Sequence, residues 1–255
     1  MRGLAGKIVI VAGGASGIGA STARRLVEEG ASVMVGDLNE DGAAKLAAEL
    51  RGAGGRAEAY GFDIADEEAC ASLVAATVQS FGGVDGLFNV AADLSAQTFG
   101  RDGDLLEVPV EVWRRSIEVN LTGYFLTARH ALPAMLARGG GAIVNTISGR
   151  MLNGDPTLVA YGSSKSGVVA LSKHIATRWG KQGIRCNVVA PGLVLTEIAQ
   201  KSTSDESRAE IFEMLRSPRF GRPEDIAAAV SFLLSADGEW INGQILPVNG
   251  GTGLR

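Results

Sequence analysis

The sequence predicts an α/β protein built on a doubly wound parallel β-sheet of about seven strands, flanked by helices. Three observations predict it. Short β-branched apolar runs alternate with longer amphipathic stretches from one end of the chain to the other. The runs read as apolar on both faces, as strands covered by helices on each side must. A glycine-rich string also follows the first run and opens a helical pattern, the order in which such sheets build a phosphate-binding turn.

In chain order the strand runs are "KIVIVA" (7–12), "SVMVGD" (32–37), "RAEAYGFD" (56–63), "LFNV" (87–90), "AIVNTI" (142–147), "RCNVVA" (185–190) and "QILPVN" (244–249). Helical patterns occupy 18–29, 41–51, 66–80, 111–137, 161–180 and 223–235. No linker, low-complexity tract or shift of composition divides them, so residues 1–255 are expected to form one domain. Hydrophobic content of 46% with 35 glycines suits a buried core threaded by tight turns. The net charge of −4 and the lack of a basic run argue against nucleic-acid or acidic-membrane partners. Cys70 and Cys186 lie far apart with no CxxC partner and read as buried thiols of a reducing compartment. The apolar run in "MRGLAGKIVIVAGG" is too short for a membrane span and leads into a turn, so a cytoplasmic protein is expected.

Ligands of doubly wound sheets bind beyond the carboxyl ends of the strands. After the first strand comes "GGASGIG" (13–19), then the helical "ASTARRLVEEG". Glycines there let the backbone turn tightly and approach a pyrophosphate, which the helix N-terminus favours. The sheet is therefore expected to be of Rossmann type. Asp37 ends the second strand, 18 residues beyond Gly19. Its carboxylate can accept hydrogen bonds from the adenosine ribose and repels a 2′-phosphate, and neither Ala15, Ser16, Leu38 nor Asn39 offers a cation, so NAD is expected over NADP. Asp63 closes the third strand, where it can reach the adenine amino group, with Ile64 packing beside the ring, or cap the next helix.

The stretch "AYGSSKSG" (160–167) sets Tyr161 and Lys165 four apart on one helical face, with small residues between them. A nearby fixed cation makes a phenol easier to ionise. Alone, such a pair fits a half-buried tyrosine and a solvated lysine better than a proton-transfer site.

With these residues assembled, the chain resembles the short-chain dehydrogenase/reductase family from Lys7 to Gly251. "GGASGIG" resembles its cofactor turn, "FNVAA" (88–92) its Asn-Ala-Gly segment, and "VNLTG" (119–123) its asparagine motif, with Asn120 at the matching position. "IVNTIS" (143–148) places Ser148 at the family's catalytic serine, 13 residues before Tyr161, and "YGSSK" resembles its Tyr-x-x-x-Lys pair. "PGLVLT" (191–196), "GRPEDIA" and "INGQILPVNGG" resemble its later signatures. Ala12, Ala92 and Asn249 depart from a familiar Thr or Ser, Gly and Asp, and the segment between Asn89 and Asn120 is a few residues longer than usual, carrying "FGRDGDLLEVP".

The resemblance implies an NAD(H)-dependent oxidoreductase that interconverts a secondary alcohol and a ketone. It implies Tyr161 as acid/base, assisted by Lys165 and the nicotinamide cation; Ser148 on the substrate oxygen; and Asn120 as anchor of a water leading to Lys165, or else a helix-kinking or backbone-bonding asparagine. It places Gly13, Ser16, Gly17, Ile18, Gly19, Asp37, Leu38, Asp63, Ile64, Asn89, Ala91, Tyr161, Lys165, Pro191, Gly192, Val194 and Thr196 at the dinucleotide, Thr196 on its carboxamide. Small residues at 162–164 would keep clear of cofactor and sheet. A substrate lid is implied around 193–219, with Arg150, Met151 and Leu152 of the 149–157 loop and residues 93–105 completing the pocket for a small alcohol or ketone. Apolar residues beyond one stripe on 111–137 and 161–180 suit the family's tetrameric or dimeric interfaces, and Trp113 and Trp179 on these helices read as packing or interface residues. His130 and His174 lack metal-ligand spacing and read as structural. The rival reading is a non-catalytic dinucleotide-binding regulator or scaffold on the same fold, which would have no need of the proton-handling residues.

Overall fold

The computed structural model describes residues 1–152 and 154–253. Seven parallel strands form one sheet in the order β3-β2-β1-β4-β5-β6-β7. They are β1 (Ile8–Ala12), β2 (Ser32–Asp37), β3 (Arg56–Gly61), β4 (Gly86–Asn89), β5 (Gly141–Thr146), β6 (Ile184–Pro191) and β7 (Ile245–Val248). The order reverses between β1 and β4, whose ends are in register at Ala12 and Asn89. That reversal is the switch point at which such sheets open a ligand crevice.

Alternation along each strand divides the core in two. Val9 and Val11 of β1 face one side, with α1 (Gly17–Glu28), α2 (Glu40–Gly52) and α9 (Pro223–Leu234). Ile10 and Ala12 face the other, with α3 (Glu67–Phe81), α5 (Gly123–Ala137) and α6 (Val159–Trp179). Each helix lays an apolar stripe on the sheet: in α1 it is Ala20, Ala23 and Leu26. The stripe of α6 departs from this rule, because it includes Lys165 beside Ala160, Val168 and Ile175.

Three expectations change. The single helix over 111–137 is broken: α4 (Val110–Ile117) passes through a π-helical turn, Glu118–Thr122, before α5 begins. Asn120 sits in that turn, where its side-chain oxygen accepts the Asp93 N–H at 3.2 Å. Strand β3 stops at Gly61, so Asp63 lies in the loop, bonded to the Ala65 N–H, and Asp66 caps α3 in its place. Residues 197–214 form two helices, α7 (Glu197–Ser202) and α8 (Asp205–Met214), and α8 buries none of its residues.

Among the described residues, no helix is long and apolar enough to cross a membrane. Cys70 and Cys186 are buried and free. Burial pushes both thiols up to about 12, helped at Cys70 by the nearby carboxylates of Asp66, Asp63 and Glu67. Ellman's reagent at pH 8 is therefore expected to find no reactive thiol in the folded protein and both cysteines after denaturation; rapid reaction of the native protein would contradict this packing.

Candidate active site

The turn after β1 is closed by contacts that only glycine permits. Gly13 has φ 94°, and a Cβ there would lie 2.5 Å from the Ala91 nitrogen; a Cβ on Gly19 would lie 2.0 Å from the Gly13 carbonyl oxygen. The turn ends at the N-terminus of α1, where Ser16 is exposed and its side chain caps no amide. The first N–H groups of that helix are thus left to an outside acceptor, and a pyrophosphate fits that requirement. Asp37 closes the end of the crevice, one carboxylate oxygen accepting the Ala15 N–H at 2.8 Å and the other the Asn39 N–H at 2.9 Å. Leu38 beside it is exposed, and Ile18 is part-buried on the first helix.

The other residues expected at the dinucleotide divide into two groups. Ala91, against Gly13, and Thr196, whose methyl lies 3.1 Å from where a Gly17 Cβ would stand, border the glycine turn. Pro191 ends β6, Gly192 is pressed on Asn249, and Val194 pairs with Gly221. The Thr196 hydroxyl caps α7, accepting the Ala199 N–H at 3.1 Å. Two residues turn inward. Ile64 is buried in the core against Gly123, and the Asn89 side chain is locked within the sheet, donating to Asn145 at 2.9 Å and accepting from Thr127 at 2.8 Å. Asp63 lies 3.8 Å from the Arg115 guanidinium.

Next to the crevice stand Ser148, just past β5, and Tyr161 and Lys165 on α6. Tyr161 keeps part of its surface open. Its dense surroundings push the phenol up to about 12, against the opposing pull of the Ser148 hydroxyl and the Arg150 charge. Lys165, whose charge would ease ionisation of the phenol, is not among the groups that pull it down here. Lys165 is itself 1% exposed, burial pushes it down to about 7, and its nitrogen lies 5.7 Å from the Tyr161 ring centre. Desolvation outweighs charge at both groups.

What holds Lys165 is a residue that the sequence pattern did not single out. Its ammonium donates to the Tyr124 hydroxyl at 3.1 Å and lies 4.6 Å from the centre of that ring. Tyr124 is fully buried and donates in turn to the Ala91 carbonyl at 3.0 Å. The chain Lys165–Tyr124–Ala91–Gly13 thus ties the lysine to the glycine turn. The only local signal is that Tyr124 stands four residues after Asn120. Asn120 is itself buried, and its side-chain nitrogen has no partner among the described residues.

Of the small residues 162–164, only Ser164 is enclosed, donating to the Tyr161 carbonyl at 2.7 Å; a Cβ on Gly162 would meet open space, so the fold itself does not require that glycine. Arg150 is exposed at the rim and bound by Asp155 at 2.5 Å, while Met151 packs on the core. Asn153 and the side chain of Leu152 lie outside the described residues. His174 meets Trp179 edge-on at 5.7 Å, and His130 lies 3.5 Å from Glu67.

The glycine turn and the acidic strand end at the switch point fit a dinucleotide, and Ser148, Tyr161 and Lys165 stand next to them. Comparison with known proteins agrees. A family model described as enoyl-(acyl carrier protein) reductase matches residues 13–253. The chain is 41% identical over 248 residues (96% of the chain, 87% of the relative) to a probable short-chain type dehydrogenase/reductase of Bradyrhizobium diazoefficiens. It is 36% identical over 245 residues (96% and 93%) to the 7α-hydroxysteroid dehydrogenase of Bacteroides fragilis. Among solved structures, a 7α-hydroxysteroid dehydrogenase complexed with NADH and 7-oxo glycochenodeoxycholic acid superposes with a TM-score of 0.91 at 32% identity, covering 98% of this chain and 95% of that one. The chain belongs to the short-chain dehydrogenase/reductase family.

The depressed lysine has a consequence for stability. Between about pH 7 and 10.5 the unfolded chain holds a proton on Lys165 that the folded protein lacks, so the Lys165 contribution to stability rises with pH across that window. Denaturant titration is expected to find Lys165→Met more stable than the parent at pH 6, with the gap closing toward pH 10; a gap that stays constant with pH would show the ammonium to be well solvated.

Proposed function

We propose that this protein is an NAD(H)-dependent dehydrogenase that interconverts a secondary alcohol and a ketone, with Tyr161 as the acid/base. One observation carries the reading: Ser148, Tyr161 and the buried Lys165 stand beside the switch-point crevice, and a chain of contacts joins Lys165 to the glycine turn that would hold the pyrophosphate. Gly13–Gly19 and the free amides of α1 would seat the dinucleotide, Asp37 its adenosine ribose, and Pro191, Gly192, Val194 and Thr196 its nicotinamide end. Nicotinamide accepts or supplies the hydride.

The residues then divide the remaining work. In oxidation Ser148 hydrogen-bonds the substrate hydroxyl, and Tyr161 takes its proton as the hydride leaves the carbinol carbon; in reduction the same phenol returns the proton to the carbonyl oxygen. Burial pushes the phenol up to about 12, which favours its protonated, proton-donating form. A cationic nicotinamide and an ammonium reoriented toward the ribose would lower it, each unit being worth about 1.4 kcal/mol. The orphaned amide of Asn120 would hold a water leading from Lys165 to solvent.

The substrate we favour is a cyclic secondary alcohol or its ketone. Both 7α-hydroxysteroid relatives act, by their names, on a hydroxyl carried by a ring. The thinly packed helices α7 and α8, within 193–219, would close over it as a lid. Free buried thiols suit a cytoplasmic setting, and exposed Val110, Trp113 and Phe125 suit a homotetramer or dimer.

Following NADH absorbance with cyclohexanol, a cyclohexanediol, chenodeoxycholate and 2-butanol tests the class; activity with none, and equal activity with all, would each count against a ring-specific dehydrogenase. Tyr161→Phe is expected to lose turnover by a hundredfold or more, roughly the weight of one general acid/base, while binding NADH normally. Unchanged turnover would remove Tyr161 from the mechanism. Asp37→Ala is expected to raise the use of NADP relative to NAD in initial-rate assays, and equal use by the parent would contradict the role given to Asp37.

A further inference from the structure

Tyr161 sits in the first turn of α6, a turn that its own flank does not secure. The preceding Leu158 has φ 57°, in the left-handed region, and its side chain makes no cap. The first amides of a helix need acceptors, and here they come from far along the chain. The two carboxylate oxygens of Asp102 accept the Ala160 N–H at 3.1 Å and the Tyr161 N–H at 2.7 Å, and the Gly103 carbonyl accepts the Val159 N–H at 3.3 Å. Asp102 is 8% exposed, so water competes little for these bonds. Phe99 meets the Tyr161 ring edge-on, with centres 5.3 Å apart and planes at 88°.

Backbone and ring of Tyr161 are therefore gripped by the same five residues, 99–103, within the stretch that lengthens the connection from β4 to α4. The base of that stretch is fixed as well. Thr98 donates to Asp93 at 3.0 Å, and the Asp93 N–H is the donor to Asn120. The segment thus leaves the site at Asn120 and returns to it at Tyr161.

We propose that Asp102, with Phe99, is a positioning residue that fixes the Tyr161 phenol for proton transfer; this rests on the reading of Tyr161 as the acid/base. A carboxylate suits the task. It satisfies two amides at once, through charge-assisted bonds at the positive end of the helix. An edge-on ring restrains the phenol's swing without offering it a hydrogen bond. Proton transfer is steep in distance and angle, so a loosened first turn should cost rate before it costs cofactor affinity.

The test uses the full chain and the best substrate of the panel above. Asp102→Ala and Asp102→Asn are made alone and in the Tyr161→Phe background, with kcat, KM, NADH binding by fluorescence and amide hydrogen exchange as readouts. Asp102→Ala is expected to lower kcat by about ten- to a hundredfold, with the NADH dissociation constant changed by no more than about twofold, and to expose the amides of 159–161 to exchange. Asp102→Asn keeps one carbonyl acceptor and should lose less, and it carries the test if the alanine variant does not fold. In the Tyr161→Phe background the same change should remove nothing further. Equal losses in both backgrounds, an unchanged kcat, or amides that stay protected would each overturn the clamp. Full turnover by Tyr161→Phe alone would instead overturn the acid/base reading, and the clamp's catalytic purpose with it.

Discussion

A lysine side chain held almost wholly out of water is the constraint to which the rest of the site answers. Removing an ammonium from solvent is costly, and folded proteins usually offset the cost with a carboxylate. Among the described residues none is paired with Lys165. It has one hydroxyl, that of Tyr124, and the faces of two tyrosine rings. The difference bears on function. A carboxylate would hold the ammonium in an ion pair, whereas a hydroxyl and two rings leave its donors free to turn to a ribose. Because Tyr124 also donates to Ala91, and Ala91 touches Gly13, the lysine is mechanically joined to the turn on which the cofactor would rest.

A second buried polar assembly keeps the elements of the site in register. Asn89 of β4, Asn145 of β5, Thr127 of α5 and Ser172 of α6 are hydrogen-bonded in series and almost wholly enclosed. Such a network tolerates few alternative arrangements, because any slip leaves a buried donor or acceptor unpaired. It fixes α6 on β5, and so fixes Tyr161 and Lys165 relative to Ser148, which follows β5. Asn89, expected at the cofactor, has its side chain committed to this frame.

Much of the site was legible because its signals are local. A glycine string between a strand and a helix and an acidic residue closing the next strand each state their chemistry within a few residues, whereas the tyrosine and lysine four apart gained a meaning only from the family resemblance. Tyr124 and Asp102 could not be read in this way. Tyr124 matters because α5 turns it toward α6, across 41 residues of sequence, and Asp102 because its loop folds back over a helix end 59 residues on. The π-helical turn at Asn120 escaped for a related reason: its one extra residue per turn leaves the apolar pattern of 111–137 nearly intact.

The sequence by itself determined the order of strands and helices and the place of the glycine turn, since these follow from apolar periodicity and residue chemistry along the chain, while the roles of Ser148, Tyr161 and Lys165 came from the family resemblance alone. Only the tertiary structure decided how those groups are tuned. The phenol stands high and the lysine low because burial depends on what packs around a group in space, and neighbours such as Phe99 on Tyr161 and Tyr124 on Lys165 come from other segments.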